Sequence, residues 1–262
     1  MTREGKILDL HEAFAALMDY QVIFFGERHD SRTDHAGELT VLSGLSGRDS
    51  KLVLALEMFE RDVQDELDAY LRGGIGEDMF LNRARPWPNY REDYRPLVEF
   101  AKAKGLHVIA ANAPRRMAAA VVRGNRICAE ADGRERADLP LAVHLDSDEY
   151  FMRFAAEMRK MPHAAPMKGM GVEGLYRAQV LKDAVMAASL EPFLDRRILF
   201  CCGHFHSDYH LGVPYQLEKN HPALKVAVLT GAAALRDLSG KDRSRVADFI
   251  WTGESQASSL PP

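Results

Sequence analysis

Five short apolar runs constrain this chain more than any other feature. They fall at residues 21–25 (QVIFF), 52–56 (LVLAL), 106–111 (LHVIAA), 197–202 (RILFCC) and 224–229 (LKVAVL). Each is continuous; none alternates between apolar and polar positions. A strand with one wet face alternates, whereas a strand buried on both faces does not. The runs therefore predict parallel strands, with helical crossovers covering both sides of one sheet. Residues 139–143 are a weaker candidate for a sixth strand.

Helical periodicity fills the intervals: residues 10–18, 33–45, 59–71, 94–104, 147–161 and 174–194. Residues 73–93 contain Pro86-Trp87-Pro88, which no single helix accommodates. A small helical lobe is expected there or over 115–195. Residues 161–174 hold too much proline and glycine for a helix and read as a mobile loop. The polar, proline-ended stretch 254–262 reads as a flexible tail. The expected fold class is α/β. One domain spans 1–262, with a central, mostly parallel sheet flanked by helices and a helical insertion at approximately 115–195.

Composition works by exclusion. Lys and Arg number 34 against 38 Asp and Glu, a formal net charge of −4, which argues against nucleic acid as a partner. No apolar stretch approaches the roughly 18 residues of a membrane span. Residues 1–9 lack the apolar centre of a secretory signal, so the chain as written is expected in the cytoplasm. The three cysteines, Cys128, Cys201 and Cys202, form no CxxC spacing, which leaves zinc ribbons and dithiol redox sites unsupported. There is no G-x-S-x-G elbow, no phosphate-binding loop, and no G-x-G-x-x-G after the first run.

Chemistry-bearing side chains gather just past the runs. The first is followed by Gly26-Glu27-Arg28-His29-Asp30, the second by Glu57 and the third by Asn112-Ala113-Pro114-Arg115-Arg116. Gly203-His204-Phe205-His206 follows the fourth, and Thr230-Gly231 the fifth. Ligands of open parallel sheets bind beyond the carboxyl ends of the strands. Glu27, His29, Glu57, Asn112 and His206 are expected to converge there. Imidazole with carboxylate suits Zn²⁺, Mn²⁺ or non-haem iron, so Glu27, His29, Glu57 and His206 form a candidate divalent-metal site. Without metal, the same four groups can act as general acid and base. Singly, Glu57 also reads as a helix cap and each histidine as an ordinary core or surface residue. Tyr, His and Met side chains that can ligate haem iron are plentiful, although core filling is the plainer role of methionine.

Taken in order, these segments resemble a known family. The segments are Gly26-Glu27-Arg28-His29-Asp30 with His35, and Glu57-Met58-Phe59-Glu60-Arg61-Asp62-Val63-Gln64. Then come Tyr94-Arg95-Pro96-Leu97 running into Ala110 to Arg116, and Tyr176-Arg177-Ala178-Gln179 with Lys182-Asp183 and Met186-Ala187. Last is Gly203-His204-Phe205-His206 with Tyr209 and Gly212-Val213-Pro214. The chain resembles the ChaN family of haem-binding, iron-regulated proteins, grouped in one superfamily with Tiki proteases and erythromycin esterases.

That resemblance implies an α/β fold with a helical lobe, and haem binding by a homodimer with tyrosine on the iron. It further implies a role in haem or iron uptake, with membrane-associated transport partners. Two features depart from the family. Its usual signal sequence or lipoprotein cysteine is not seen, and Asp34-His35 stands where two adjacent histidines are common. Tyr209 is the favoured ligand, because a helix over 205–211 would put it on one face with His206; Tyr176 and Tyr90 are alternatives. His204, His206 and His210 are candidates to ligate or hydrogen-bond. Arg115, Arg116 and Arg95 are candidates to pair with the propionates. The Tiki branch supplies another reading, a metal-dependent or Glu/His-dependent hydrolase. Its two G-x-x-H motifs and glutamate correspond to Gly26 to His29, Gly203 to His206, and Glu57.

Overall fold

The computed structural model describes residues 1–124, 140, 142–160, 171–232 and 244–253. Six parallel strands form one sheet in the order β3-β2-β4-β1-β5-β6. They are β1 Val22–Glu27, β2 Val53–Glu60, β3 His107–Asn112, β4 Ile198–Gly203, β5 Val226–Gly231 and β6 Phe249–Trp251. The described α-helices are α1 Leu10–Leu17, α2 Arg32–Ser46, α3 Gln64–Leu71, α4 Glu77–Ala84, α5 Arg95–Lys104, α6 Arg115–Gly124, α7 Asp148–Lys160, α8 Val172–Leu190 and α9 Val213–Asn220.

The first five strands are the five apolar runs, each carried further toward its carboxyl end. They continue through Glu27, Glu57 and Thr230, which are buried although polar. β2 also takes in Phe59 and Glu60, where helix was expected, and α3 starts only at Gln64. The Gln64 amide explains that start. It donates to Val108 O and accepts from Ala110 N, both at 2.8 Å, fastening the helix to β3. Of the candidate sixth strand at 139–143, the described residues 140, 142 and 143 are not in a strand. Residues 139 and 141 lie outside the described set. The sixth strand of the sheet is the three-residue β6, paired with β5 at the sheet edge. Such a strand is too short to show a period.

Side chains alternate between the two faces of the sheet. Ile23, Phe25, Leu54, Leu56, Leu199 and Cys201 pack with the layer that contains Leu42, Leu67, Phe80 and Leu97. Val22, Phe24, Val53, Ala55, Phe200 and Cys202 pack with Met186, Leu190, Val213 and Leu217. Two covered faces account for the continuous runs, and they send the adjacent Cys201 and Cys202 into opposite layers, both fully buried. α6 and α7 pack on α8 through Met117, Val121, Tyr150 and Phe154, so α8 is buried almost all round.

The strand order opens the site. β4 lies between β1 and β2, so the chain after β1 leaves toward β2 through α2, on one face. After β4 it leaves toward β5 through α9, on the other face. Connections that diverge in this way leave a crevice at the carboxyl ends of the neighbouring strands β1 and β4.

Candidate functional site

Glu27, the last residue of β1, is fully buried. Its Oε1 lies 2.8 Å from His29 Nδ1 and accepts from the Tyr94 hydroxyl at 2.8 Å. Its Oε2 lies 2.7 Å from His35 Nδ1 on α2. Across the crevice, Glu57 of β2 accepts from Gly203 N at 2.7 Å and lies 3.3 Å from His206 Nε2. The other nitrogen of His206, Nδ1, lies 2.5 Å from Asp183 Oδ1. The Tyr150 hydroxyl donates to Asp183 Oδ2 at 2.8 Å. The Gln179 amide nitrogen sits 3.3 Å from that hydroxyl and 3.2 Å from His206 Nδ1.

Gly203 lets the two halves meet. A Cβ there would stand 2.8 Å from His29 Cε1 and 2.9 Å from His29 Nε2, so any side chain expels the ring. Gly212 has a comparable role: its φ is +63°, and a Cβ would press to 2.5 Å from His206 O.

Burial disfavours charge on every one of these groups, and their neighbours decide the outcome. Against burial, Glu57 and Asp183 lift the His206 pKa to about 10. Against burial, His206 and His29 hold Glu57 down at about 2. The Glu27 hydrogen bond raises His29 in spite of burial. His29 and His35 similarly hold Glu27 low. Burial is opposed at His35 by Glu27 and Glu38, which lift it to about 11. Burial raises Asp183, and burial with Glu27 nearby raises Glu38. These shifts favour a charged His206 facing an ionised Glu57 at neutral pH.

Two cavities adjoin above this floor. One of about 550 Å³ is lined by Glu27, His29, Phe154, Met158, Gln179 and His206 among others. The second, about 450 Å³, is lined by Tyr150, Arg153, Lys160, Asp208, Tyr209 and Leu211 among others. Arg28, Glu157, His204 and Phe205 line both. Another cavity, about 360 Å³, lies toward the amino ends of the strands. There Arg197 is already taken up by Asp49 and by backbone carbonyls.

The structure thus brings Glu27, His29, Glu57 and His206 together as two acid–histidine couples. Asn112 does not join them; its Oδ1 closes its own turn on Ala113 N at 2.8 Å. His204 stands at the junction of the cavities, its side chain 38% exposed and its Nδ1 2.9 Å from Asp208 Oδ2.

Tyr209 lines the second cavity, but the helix over 205–211 is not formed. Two separate 3-10 turns, His204–His206 and Asp208–His210, replace it, and Tyr209 sits at φ +64°. Positions 206 and 209 therefore share no helical face. The Tyr209 ring packs beneath the Arg153 guanidinium at 3.3 Å, and its hydroxyl is buried. His210 points away to Asp248 and Glu218.

Arg115 and Arg116 do not reach the crevice. They pair with Glu60, the last residue of β2, and Asp62, just beyond it. Arg95 is held by both oxygens of Glu77. Tyr176 lies in an aromatic cluster with Tyr150 and Phe154, its hydroxyl on Ser147 O at 3.2 Å, and Tyr90 is buried. Among the described residues, the Arg and Lys side chains that line the crevice are Arg28, Arg153 and Lys160. The last two share an α7 face with Glu157 through their spacing of three and four residues. Glu38 was likewise missed, yet Asp34 and Glu38 interrupt the stripe of Val41, Leu42 and Leu45 on α2. An acid on an apolar stripe is the available signal.

The family model described as haem-binding uptake, Tiki superfamily, ChaN matches residues 13–217. This chain belongs to the ChaN family. Its fold is similar to that of ChaN from Campylobacter jejuni, a protein that binds haem cofacially. The TM-score is 0.74 at 18% identity, over 94% of this chain and 92% of that one. An erythromycin esterase mutant in an open conformation shares the fold more distantly, with a TM-score of 0.50 at 12% identity, over 87% of this chain and 74% of that one. The chloroplastic protein RETICULATA-RELATED 5 of Arabidopsis thaliana is 22% identical over 260 residues. That match takes in 93% of the ChaN-family chain and 35% of the plant protein's own length.

Proposed function

We propose that this chain binds haem in the double cavity and takes part in haem or iron handling. The observation that carries the reading is that the two cavities share His204 and Phe205. A porphyrin needs an apolar wall, a ligand for iron and cations for its propionates. Phe154, Met158 and Phe205 supply the wall, and Arg28, Arg153 and Lys160 the cations. Guanidinium pairs well with carboxylate. His204 is the better placed ligand. Its Nδ1 is engaged by Asp208, which leaves Nε2 as the ligating nitrogen and increases its basicity. The buried hydroxyl makes Tyr209 the weaker choice. Membership of the ChaN family and the likeness to the Campylobacter structure support the same reading.

Titration of the purified protein with haemin tests it. Saturable binding with a shifted Soret band is expected, weakened in His204→Ala and retained in Tyr209→Phe. The reverse pattern moves the ligand to Tyr209, and no uptake by the parent overturns the proposal. Sedimentation with and without haem examines whether two copies pair.

A second reading rests on the Glu57–His206–Asp183 line, in which a buried imidazole is held between two carboxylates. Such a line can orient water and, through His206, donate a proton to a leaving group, as in a hydrolase. Hydrolysis of chromogenic esters or peptides by the parent, abolished in His206→Ala, would establish it.

A further inference from the structure

Behind the crevice, on the far oxygen of Glu27, lies a second cluster, made with His35 and Glu38 of α2. All three residues are buried, and one ligating atom from each lies within 4.8 Å of the others. His35 Nδ1 is 2.7 Å from Glu27 Oε2 and 3.2 Å from Glu38 Oε2. Neighbouring ligands on an ion bonded at roughly 2.0–2.2 Å stand about 3 Å apart, so these separations already match a coordination shell.

The hydrogen bonds of His35 sharpen the point. Its Nε2 lies 3.2 Å from His29 O, a carbonyl that can only accept, so this nitrogen carries the ring proton. In the neutral ring Nδ1 is then a lone pair aimed at two carboxylates. Metal-bound histidines commonly donate their other ring N–H to a carbonyl in this way. A doubly protonated ring would still offer one Nδ1–H for two carboxylate oxygens. Among the described residues, neither Glu27 Oε2 nor Glu38 Oε1 has a well-aligned hydrogen-bond donor, although His35 Nδ1 stands 2.7 Å from the first and the weak Cys201 thiol lies beside Glu38. One imidazole thus faces two fully buried carboxylates, an excess of acid that a metal would satisfy.

We propose that Glu27 Oε2, His35 Nδ1 and a Glu38 oxygen hold a divalent cation of the Mn²⁺ to Zn²⁺ class. Two carboxylates and one imidazole suit such an ion and neutralise its charge. The ion ties α2 to the end of β1, and so steadies Glu27 while Oε1 stays with His29 and Tyr94. It shares Glu27 with the crevice wall but uses neither His206 nor Glu57, and it needs no haem.

Haem-free protein stripped with a chelator, loaded with Zn²⁺ or Mn²⁺, desalted and assayed for metal provides the test. One retained equivalent and a higher melting temperature are expected. Glu38→Gln should weaken retention by at least about tenfold, whereas His206→Ala should keep the equivalent. X-ray absorption of the zinc-loaded parent should show a single imidazole with oxygen ligands, and this measurement decides alone if Glu38→Gln does not fold. Two imidazoles in the shell would put the ion in the crevice and overturn the proposal. So would a parent that retains neither metal, or full retention in a folded Glu38→Gln.

Discussion

His206 Nδ1 and Asp183 Oδ1 lie 2.5 Å apart, with Glu57 3.3 Å from the opposite ring nitrogen, and Asp183 is wholly shut off from solvent. An imidazole between two buried acids is held in one orientation and charged. Removing one acid leaves the remaining charges poorly matched.

Asp183→Asn is accordingly expected to cost about 3 kcal/mol of folding stability, as removing one partner of a buried pair does. The His206 pKa, about 10 in the parent, should fall toward 6.5. A group whose pKa is raised by folding stabilises fully below its unfolded pKa and loses that contribution as pH rises through the folded value. The penalty should therefore be largest near pH 6 and fade as pH approaches 10. Denaturant melts across that range, with NMR titration of His206, measure both; an unmoved His206 pKa would detach Asp183 from this role.

Gly203→Ala should displace the His29 ring, because the added methyl would lie 2.8 Å from His29 Cε1. The expected cost is about 1–3 kcal/mol, together with weaker haem uptake. Gly76→Ala, which has no neighbour within 4 Å, should change stability by less than about 0.5 kcal/mol. Equal effects of the two substitutions would show that the close approach of His29 does not matter.

His210 gives a separate pH signature. It lies 2.8 Å from Asp248 Oδ2 and 3.3 Å from Glu218, and against burial these acids raise its pKa to about 9. Its stabilisation is complete below about 6.5 and should be lost between there and pH 9. Asp248 also accepts from Val228 N at 2.9 Å, so the loss loosens the connection into β6. Melting temperatures of the parent should slope downward over this window, and those of His210→Asn less steeply, the remaining slope coming from His206 and His35.

Arg28 lines both cavities and, among the described residues, its side chain has a single ion-pair contact, at 3.9 Å with Asp30, so it can turn to meet a propionate. Arg28→Ala should weaken haem binding roughly fivefold, about 1 kcal/mol. It should also flatten the dependence of affinity on ionic strength, since an exposed ion pair is screened by salt. Haemin titrations at two salt concentrations read both effects.

Particular residues show what the amino-acid sequence disclosed and what it concealed. The five principal strands were legible because both faces are covered, as the paired burial of Phe24 and Phe25 shows. Glu27, His29, Glu57 and His206 were legible because each sits just past an apolar run. Asp183 was hidden in a helix buried nearly all round, where no polar face marks it out. Arg115 and Arg116 misled because a cation near a strand end pairs with whichever acid is nearest, and Glu60 and Asp62 are nearer than the crevice. The turn at Tyr209 depends on left-handed backbone at two non-glycine residues, which composition does not announce.

The neighbouring thiols of β4 make the protein a reporter of its own opening. Cys201 can meet a thiol reagent only when the α2–α5 layer lifts from the sheet, and Cys202 only when the α8–α9 layer does. In a Cys128→Ser background, the order in which adjacent residues become alkylated under mild denaturant would reveal which side of the molecule breathes first. Haem would be expected to slow labelling of the side it braces.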